Sequence, residues 1–223
     1  DQSGIVVTVG HERDHQGRAE EHFLPAGPFA ILPLTGNRSS IVLVEATEEA
    51  ERLAALEPTA LASVLERRSH SILGKIEVDS PVQVYPLSGM TALSFAKSRI
   101  AVVGEAAHVF PPIGAQGLNL GLRDVASLAE VVGQARKRGE DIGGEAALKA
   151  YDSARRLDVW SRTAGVDALN RTLLSDLLPA QALRGVGLWL AQRVSPLRRV
   201  MMREGLLPSF AAPRVMRGRV GAA

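Results

Sequence analysis

The chain has 223 residues, of which 46% are hydrophobic and 22% charged, and it contains no cysteine. This composition is close to the average of globular proteins and excludes a disordered, collagen-like or coiled-coil chain. Without cysteine, neither a disulfide framework nor a zinc–thiolate site can form. The apolar runs fall short of the roughly 18 residues that indicate a membrane span, so we expect a cytoplasmic protein that at most lies on a membrane surface.

The charge is unevenly distributed. Eight arginines and one acidic residue lie from position 184 onward, a local charge of +7 in a chain of net charge +2. The simplest interpretation is a solvated arginine-rich helix face. A second is contact with an anionic membrane or a biosynthetic complex, because Trp189 and Leu190 lie near Arg193 and Arg198. Aromatic residues make up only 4% and no recognition motif is present, so we expect no nucleic-acid partner.

The first hundred residues predict a sheet with a helical insert. Short β-branched runs separated by Gly, Pro and Asn are typical of strands. Acidic residues after Thr47 and a proline at position 58 indicate two helix starts. We predict strands over 5–9, 29–34 and 40–44, helices from 47 and over 58–68, and a hairpin of 82–87 with 92–96.

The second half is predicted to be mainly helical. Residues 100–103 form a short apolar run, typical of a strand buried on both faces of a parallel sheet. Apolar residues then recur at spacings of three and four, which predicts the buried face of an amphipathic helix that ends near 137: Leu118, Leu122, Val125, Ala129 and Val132. We predict further helices over 145–174, 179–194 and 196–204.

Residues 11–15 read His-Glu-Arg-Asp-His and match the zinc motif H-E-x-x-H. That motif places two histidines on one face of a helix. Here it follows a strand, lies between Gly10 and Gly17, and has no apolar helical stripe. We therefore predict a polar loop and no metal site. Glycine-rich phosphate loops and a nucleophile elbow are also absent, so no catalytic residue can be assigned.

The most informative stretch runs from Arg99 to Glu130. It reads as a strand, a tight turn with Glu105, a Pro-Pro loop and a helix start. Gly114 and Gly117 lack a side chain and allow a ligand to approach the backbone. The free N–H groups of a helix start favour an anionic or electron-rich group. Glu105, at the end of a strand, could accept hydrogen bonds from sugar-like hydroxyls.

This stretch resembles the second flavin-binding motif of the class A flavoprotein aromatic hydroxylases, and most closely that of the ubiquinone-biosynthesis hydroxylases. Their pattern is G-D-A-A-H-x-x-x-P-x-x-G-Q/K-G-x-N-x-G-x-x-D. The matching residues are Gly104, Ala106, Ala107, His108, Pro112, Gln116, Gly117, Asn119, Gly121 and Asp124. Downstream, the residues that resemble the next helix of that branch are Tyr151, Arg155, Arg156 and Asp158.

The resemblance implies an α+β chain, part of a para-hydroxybenzoate-hydroxylase-like fold. It implies an FAD-dependent monooxygenase that uses NAD(P)H and O2 to hydroxylate an aromatic ring, such as a polyprenylated phenol precursor of ubiquinone. The flavin contacts that it implies are Gly104, Glu105, His108, Pro111, Pro112, Gly114, Gln116, Gly117, Leu118 and Asn119. The substrate-pocket residues that it implies are Phe29, Ile31, Leu32, Pro33 and Tyr85.

On this basis we divide the chain into a substrate-domain sheet (1–98), the flavin motif (99–138), C-terminal helices (139–206) and a loose basic tail (207–223). Two features depart from the family. Glu105 stands where the family has Asp, and the glycine fingerprint for the ADP half of FAD is absent. We expect that fingerprint to lie upstream of Asp1. The chain alone should then be inactive and purify without flavin, and an open sheet edge could make it self-associate.

Two alternatives stay open. One is a flavoprotein of the same fold with another reaction, such as an isoprenoid reductase or a halogenase. The Pro-Pro-Ile-Gly-Ala-Gln-Gly loop at 111–117 favours the hydroxylase. The other is a non-catalytic scaffold that keeps the fold without holding flavin, which Glu105 and the missing fingerprint would permit.

Overall fold

The structure is a computed structural model that describes residues 2–110, 112, 116–173, 185–187, 189–190, 193–196, 198–200 and 213–217. The strands in this part are β1 Gln2–His11, β2 Glu20–Leu24, β3 Gly27–Pro33, β4 Arg38–Ala46, β5 Ile76–Val78, β6 Gln83–Pro86, β7 Met90–Thr91, β8 Ala96–Lys97, β9 Ile100–Ala101 and β10 His108–Val109. The helices are α1 Thr47–Ala54, α2 Pro58–Arg68, α3 Gln116–Lys137 and α4 Glu145–Leu173. The fold class is α+β, as predicted.

The chain divides into two compact units, one up to Ser88 and one from Gly89. This division precedes the boundary predicted at residue 98. The difference arises because β7 pairs with β10, and β8 with β9, so these short strands belong with the helices. The predicted hairpin of 82–87 with 92–96 is wrong for the same reason, since β6 pairs with β1.

The first unit is one antiparallel sheet in the order β2-β3-β4-β1-β5, with β6 also beside β1. β1 is long enough for two neighbours on one side: Ser3–Val6 pair with β6, and Val9–His11 pair with β5. The strands predicted over 5–9, 29–34 and 40–44 and the first two helices are confirmed. β2 and β5 were not predicted, because one is largely polar and the other has three residues.

Side chains alternate between the two faces of this sheet, as the period of a strand requires. One face packs against α1 and α2 and forms the core, with Ile5, Val7, Phe29, Ile31, Ile41, Leu43, Leu53, Leu61 and Leu65 buried. The other face is apolar but only half-buried. On it Val6, Val42 and Ala30 are cross-strand neighbours.

The second unit packs α3 and α4 around a small apolar core of Phe95, Ala107, Leu120, Tyr151 and Val159. The prediction of a strand at 100–103 buried in a parallel sheet is wrong here. β9 has two residues, pairs antiparallel with β8, and leaves Ile100 65% exposed. A parallel strand needs a parallel neighbour, and the described part of the chain provides none.

The predicted amphipathic helix exists as α3, but its faces are reversed. Leu118, Leu122 and Val125, which were predicted to face the core, are exposed. The buried side of α3 carries Arg123 and Asp124 together with Leu120 and Ala135. α4 confirms the helix predicted over 145–174, whereas the helices predicted over 179–204 and the tail from 207 lie largely outside the described residues. In the described part, no helix is long and apolar enough to cross a membrane.

Two adjacent residues of β3 test which face of the sheet is the core. Ile31 is 1% exposed and Leu32 is 39% exposed. We expect Ile31→Ala to lower the free energy of unfolding by about 2–5 kcal/mol, because it removes buried methyl groups and leaves a cavity. Leu32→Ala should cost much less. Denaturant unfolding of the two variants measures both, and equal losses would contradict this assignment of faces.

Candidate functional site

The centre of the second unit is a tight turn that follows β9. Gly104 has a φ of +60°, in the left-handed region that glycine adopts without strain. A 3₁₀ turn covers Gly104–Ala106, closed by the N–H of Ala107 donating to the carbonyl of Gly104 at 2.9 Å. Glu105 is exposed at the tip of this turn. The turn therefore presents one carboxylate outward, as expected for a hydroxyl-binding group.

The start of α3 is the second half of the arrangement. A Cβ added at Gly117 would meet no described atom within 4 Å, so this part of the structure leaves the backbone there open to a ligand. Leu118 is 76% exposed, Asn119 is half-buried and Pro112 is exposed. The first four N–H groups of a helix lack an acceptor within the helix and carry its positive dipole end. We call the turn 104–108 and the first turn of α3 (116–119) the turn–helix site.

Asp124, two turns further along α3, joins the parts of this site. Its Oδ2 accepts a hydrogen bond from the N–H of Gly104 at 2.8 Å and lies 2.7 Å from Nε2 of His108. Its Oδ1 accepts from Nε of Arg155 on α4 at 2.6 Å. The carboxylate is fully buried. One side chain thus links both ends of the turn, α3 and α4.

The network continues into α4. Arg155 also donates to Oδ2 of Asp158 at 2.8 Å, and Asp158 is paired with Arg123 and Arg162 at 3.0 Å each. All of these groups except Arg162 are almost completely buried. Such charges are stable in a protein interior only when they are paired and hydrogen-bonded. The contact between α3 and α4 therefore combines this ionic network with the apolar side chains of Leu120, Tyr151 and Val159.

These contacts keep Asp124 ionised. Burial alone would raise the pKa of Asp124, but hydrogen bonds from His108, the Gly104 N–H and Arg155 outweigh it and lower that pKa. Tyr151, whose hydroxyl donates to the carbonyl of Val102 at 2.8 Å, has its pKa raised by burial and by the charge of Asp124. Asp124 is thus a fixed acceptor, and Tyr151 a fixed donor.

His108 occupies a different place from the other predicted flavin contacts. Its side chain is buried, bound to Asp124 and stacked on Phe110, with ring centroids 5.9 Å apart. The His108 side chain can therefore affect a bound ligand only indirectly, by holding the 104–108 turn in place. Gly104, Glu105, Gly117, Leu118 and Asn119 lie in the turn–helix site, and their contact with a flavin stays a prediction.

Other predicted flavin contacts are only partly covered by the structure. Pro111 and Gly114 lie outside the described residues. Gln116 is described as the first residue of α3, without its side chain. Pro112 is exposed between these positions.

The predicted substrate-pocket residues separate onto the two faces of the first unit's sheet. Phe29 and Ile31 are sealed in the core under the helices, so they cannot line an open pocket. Pro33 is half-buried. Leu32 is exposed, and so is Tyr85, at 51%. A ligand can reach these last two residues, and their role in a pocket stays a prediction.

The zinc-like sequence at 11–15 does not form a helix. β1 runs through His11, whose Nε2 lies 3.0 Å from Oγ of Ser39, and His15 lies 2.9 Å from the carbonyl of Leu34. Both histidines thus serve local hydrogen bonds at a strand end. Among the residues that the structure describes, no group of three His, Asp or Glu could hold a metal ion.

Sequence reasoning did not foresee the buried ionic network. It noted Asp124, Arg155 and Asp158 only as matches to a family pattern and missed Arg123. A signal was present in the spacing on α4, where Tyr151, Arg155, Asp158 and Arg162 recur at intervals of four, three and four. That spacing places the four residues on one face of α4. When two helices carry opposite charges on facing sides, such a polar face can indicate a buried ionic network.

Comparison with known proteins agrees with the resemblance. The sequence profile of the FAD binding domain family matches residues 6–165. The chain is 43% identical over 220 residues to "Ubiquinone hydroxylase UbiL" of Rhodospirillum rubrum, covering 97% of this chain and 51% of that protein. It is 31% identical to the "3-demethoxyubiquinol 3-hydroxylase" of Escherichia coli, covering 92% of this chain and 52% of that protein. The chain therefore spans about half the length of these relatives.

A solved structure supports the fold. "p-Nitrophenol 4-monooxygenase PnpA" from Pseudomonas putida superposes with a TM-score of 0.66 at 21% identity, over 92% of this chain and 52% of that one. At this identity the similarity establishes the architecture alone.

The buried network makes a clear stability prediction. We expect Arg155→Met to lower the free energy of unfolding by about 3–5 kcal/mol, because it leaves Asp124 and Asp158 buried with fewer compensating donors. The matched control is Arg99→Met, which breaks the exposed pair with Asp141 and should change stability little. Chemical denaturation compares the two, and a small effect of Arg155→Met would contradict the account.

Proposed function

Because the chain belongs to the FAD binding domain family, we propose that it supplies the flavin-ring half of a longer FAD-dependent monooxygenase. The reaction that we propose is hydroxylation of an aromatic ring, such as a phenolic precursor of ubiquinone, with NAD(P)H and O2 as co-substrates. The observation that carries the proposal is the turn–helix site: an exposed carboxylate and an open helix N-terminus, both tied to Asp124. The ubiquinone hydroxylases among the relatives support the substrate class.

The residues of the turn–helix site fit FAD. The carboxylate of Glu105 can accept hydrogen bonds from the ribityl hydroxyls, and it is exposed without a rival partner among its described neighbours. The open backbone at Gly117 leaves room for a flat ring system. The N–H groups of Gly117–Asn119 could donate hydrogen bonds to that ring. When bound, FAD supplies the redox chemistry that amino-acid side chains lack.

This chain's own residues have three tasks in that reaction. The positive end of α3 would stabilise negative charge that develops on its ligand, without any rearrangement. Glu105 would fix the orientation of the ligand through its hydroxyls. In the first unit, Leu32 and Tyr85 present exposed apolar surface that suits an aromatic or prenylated substrate.

Exposed apolar side chains support the proposal that the chain is part of a larger protein. In the second unit Ile100, Leu118, Leu122 and Val125 face solvent, although a parallel strand and a packed helix face are predicted there. Large exposed apolar patches on a globular protein mark sites where another protein segment packs. The relatives, which are about twice as long, have a further half that could do so.

The test uses the full-length protein that carries this sequence. We expect this protein to purify with bound FAD, which absorbs at about 450 nm. We also expect it to consume O2 and NAD(P)H faster when a polyprenylated phenol is added. The present chain alone should purify colourless. In the full-length protein, Glu105→Ala should weaken FAD binding by roughly tenfold. Glu77→Ala, which removes an exposed carboxylate of β5, should not.

Each other outcome identifies an alternative. Full-length protein without FAD would contradict the proposal and favour a non-catalytic scaffold. NAD(P)H oxidation without O2 uptake would favour a reductase. A halogenated product formed in the presence of halide would favour a halogenase.

We also propose that the arginine-rich end of the chain contacts an anionic membrane surface. In its described part Trp189 and Leu190 are exposed, and the Arg193 guanidinium lies 5.5 Å from the centre of the Trp189 ring. Exposed Trp beside Arg is typical of interfacial binding. A polyprenylated substrate would be available at such a surface.

Vesicle sedimentation tests the membrane proposal. We expect full-length protein to sediment with phosphatidylglycerol vesicles but not with phosphatidylcholine vesicles, and to be released by high salt, which screens the charges. Trp189→Ala combined with Arg193→Ala should reduce this binding. Equal binding to both vesicle types, or to neither, would contradict the proposal.

A further inference from the structure

Asp124 differs from an ordinary buried ion-pair partner in the way its two oxygens are used. Among the residues that the structure describes, Oδ2 bonds to the turn, with Gly104 N at 2.8 Å and His108 Nε2 at 2.7 Å. Oδ1 bonds to α4 there, through Arg155 at 2.6 Å. The carboxylate therefore separates its contacts into one set that holds the turn and another that holds the neighbouring helix.

The contacts to the turn bracket Glu105. Gly104 precedes Glu105, and His108 closes the segment that follows it, so Oδ2 holds both ends of the stretch that carries the exposed carboxylate. Asp124 lies seven residues after Gly117, or roughly 10 Å along α3. Because the helix is rigid, this spacing fixes the position of Glu105 relative to the first turn of α3.

His108 is suited to act as a fixed donor. Asp124 is ionised and can only accept, so Nε2 of His108 carries the proton in this bond. Its Nδ1 is buried without a hydrogen-bond partner among the described residues. Packing against Phe110 and Phe95 restricts the ring's orientation.

We propose that Asp124 is the positioning residue of the turn–helix site, acting through Gly104 and His108 to hold Glu105 in register with the N-terminus of α3. This inference rests on the proposed FAD site and goes further by assigning FAD affinity to a residue that does not touch the ligand. Asp158, the other buried carboxylate of the network, has no contact with the turn and pairs only with arginines in the described structure. It is therefore the matched control.

The experiment compares Asp124→Asn and Asp158→Asn in the full-length protein. An amide at 124 cannot accept on both sides, so one set of contacts is lost. We expect both variants to lower the apoprotein Tm. Only Asp124→Asn should weaken FAD binding, by roughly tenfold, and change the visible circular dichroism of the bound flavin. The Kd is measured by flavin fluorescence, and the Tm separately on apoprotein.

His108 variants provide a second test that does not depend on the folding of Asp124→Asn. His108→Gln keeps a donor that can reach Asp124, and His108→Phe keeps only a ring for packing against Phe110. We expect His108→Gln to retain FAD affinity better than His108→Phe at matched apoprotein Tm. Two results would overturn the inference by showing that the network is merely structural. One is equal FAD affinity in the two His108 variants. The other is an equal loss of FAD affinity in Asp124→Asn and Asp158→Asn. Wild-type protein that binds no FAD would instead refute the proposed function.

Discussion

A single buried carboxylate organises the second unit of this protein. Removing the charge of Asp124 from water carries a large desolvation cost, which the fold offsets with a backbone N–H, a histidine and an arginine. Two of these donors come from the turn and the third comes from α4. The turn, α3 and α4 can satisfy the carboxylate together only in one arrangement, so the charge specifies their geometry as well as stabilising it.

This constraint explains features that would otherwise look unfavourable. α3 buries Arg123 and Asp124 and exposes Leu118 and Leu122, the reverse of a surface helix in a small globular protein. The buried side is needed for the ionic network. The exposed apolar side remains available for packing in a longer chain, consistent with relatives that are about twice this length.

The sequence predicted the local backbone of the site better than the packing around it. The motif around Gly104 and Gly117 identified the turn and the helix start, because glycine is required where φ is positive or where a ligand meets the backbone. It did not reveal which side of α3 is buried. Helical periodicity indicates that a helix has two faces, and the apolar face is taken as internal only by default. Here the buried face combines Leu120 with the charged residues Arg123 and Asp124, and the residues that pair with these two charges are distant in sequence.

A similar limit applied to the first unit. The sequence placed Phe29, Ile31 and Leu32 in one predicted pocket, although successive side chains of a strand point to opposite faces of the sheet. It also gave no sign of the side of the sheet on which α1 and α2 pack. Those helices lie over Phe29 and Ile31, which leaves Leu32 and Tyr85 as the accessible members of the predicted pocket. The strand predicted at 100–103 also depended on a neighbour that the pattern implied and the described chain does not contain.

The most direct test of the account is a structure of the full-length protein with FAD bound. The account predicts that the flavin lies against Gly117–Asn119 with its ribityl chain at Glu105, and that Asp124 keeps its bonds to Gly104, His108 and Arg155. Flavin bound away from the turn–helix site, or bound there with the Asp124 contacts to the turn broken, would contradict it.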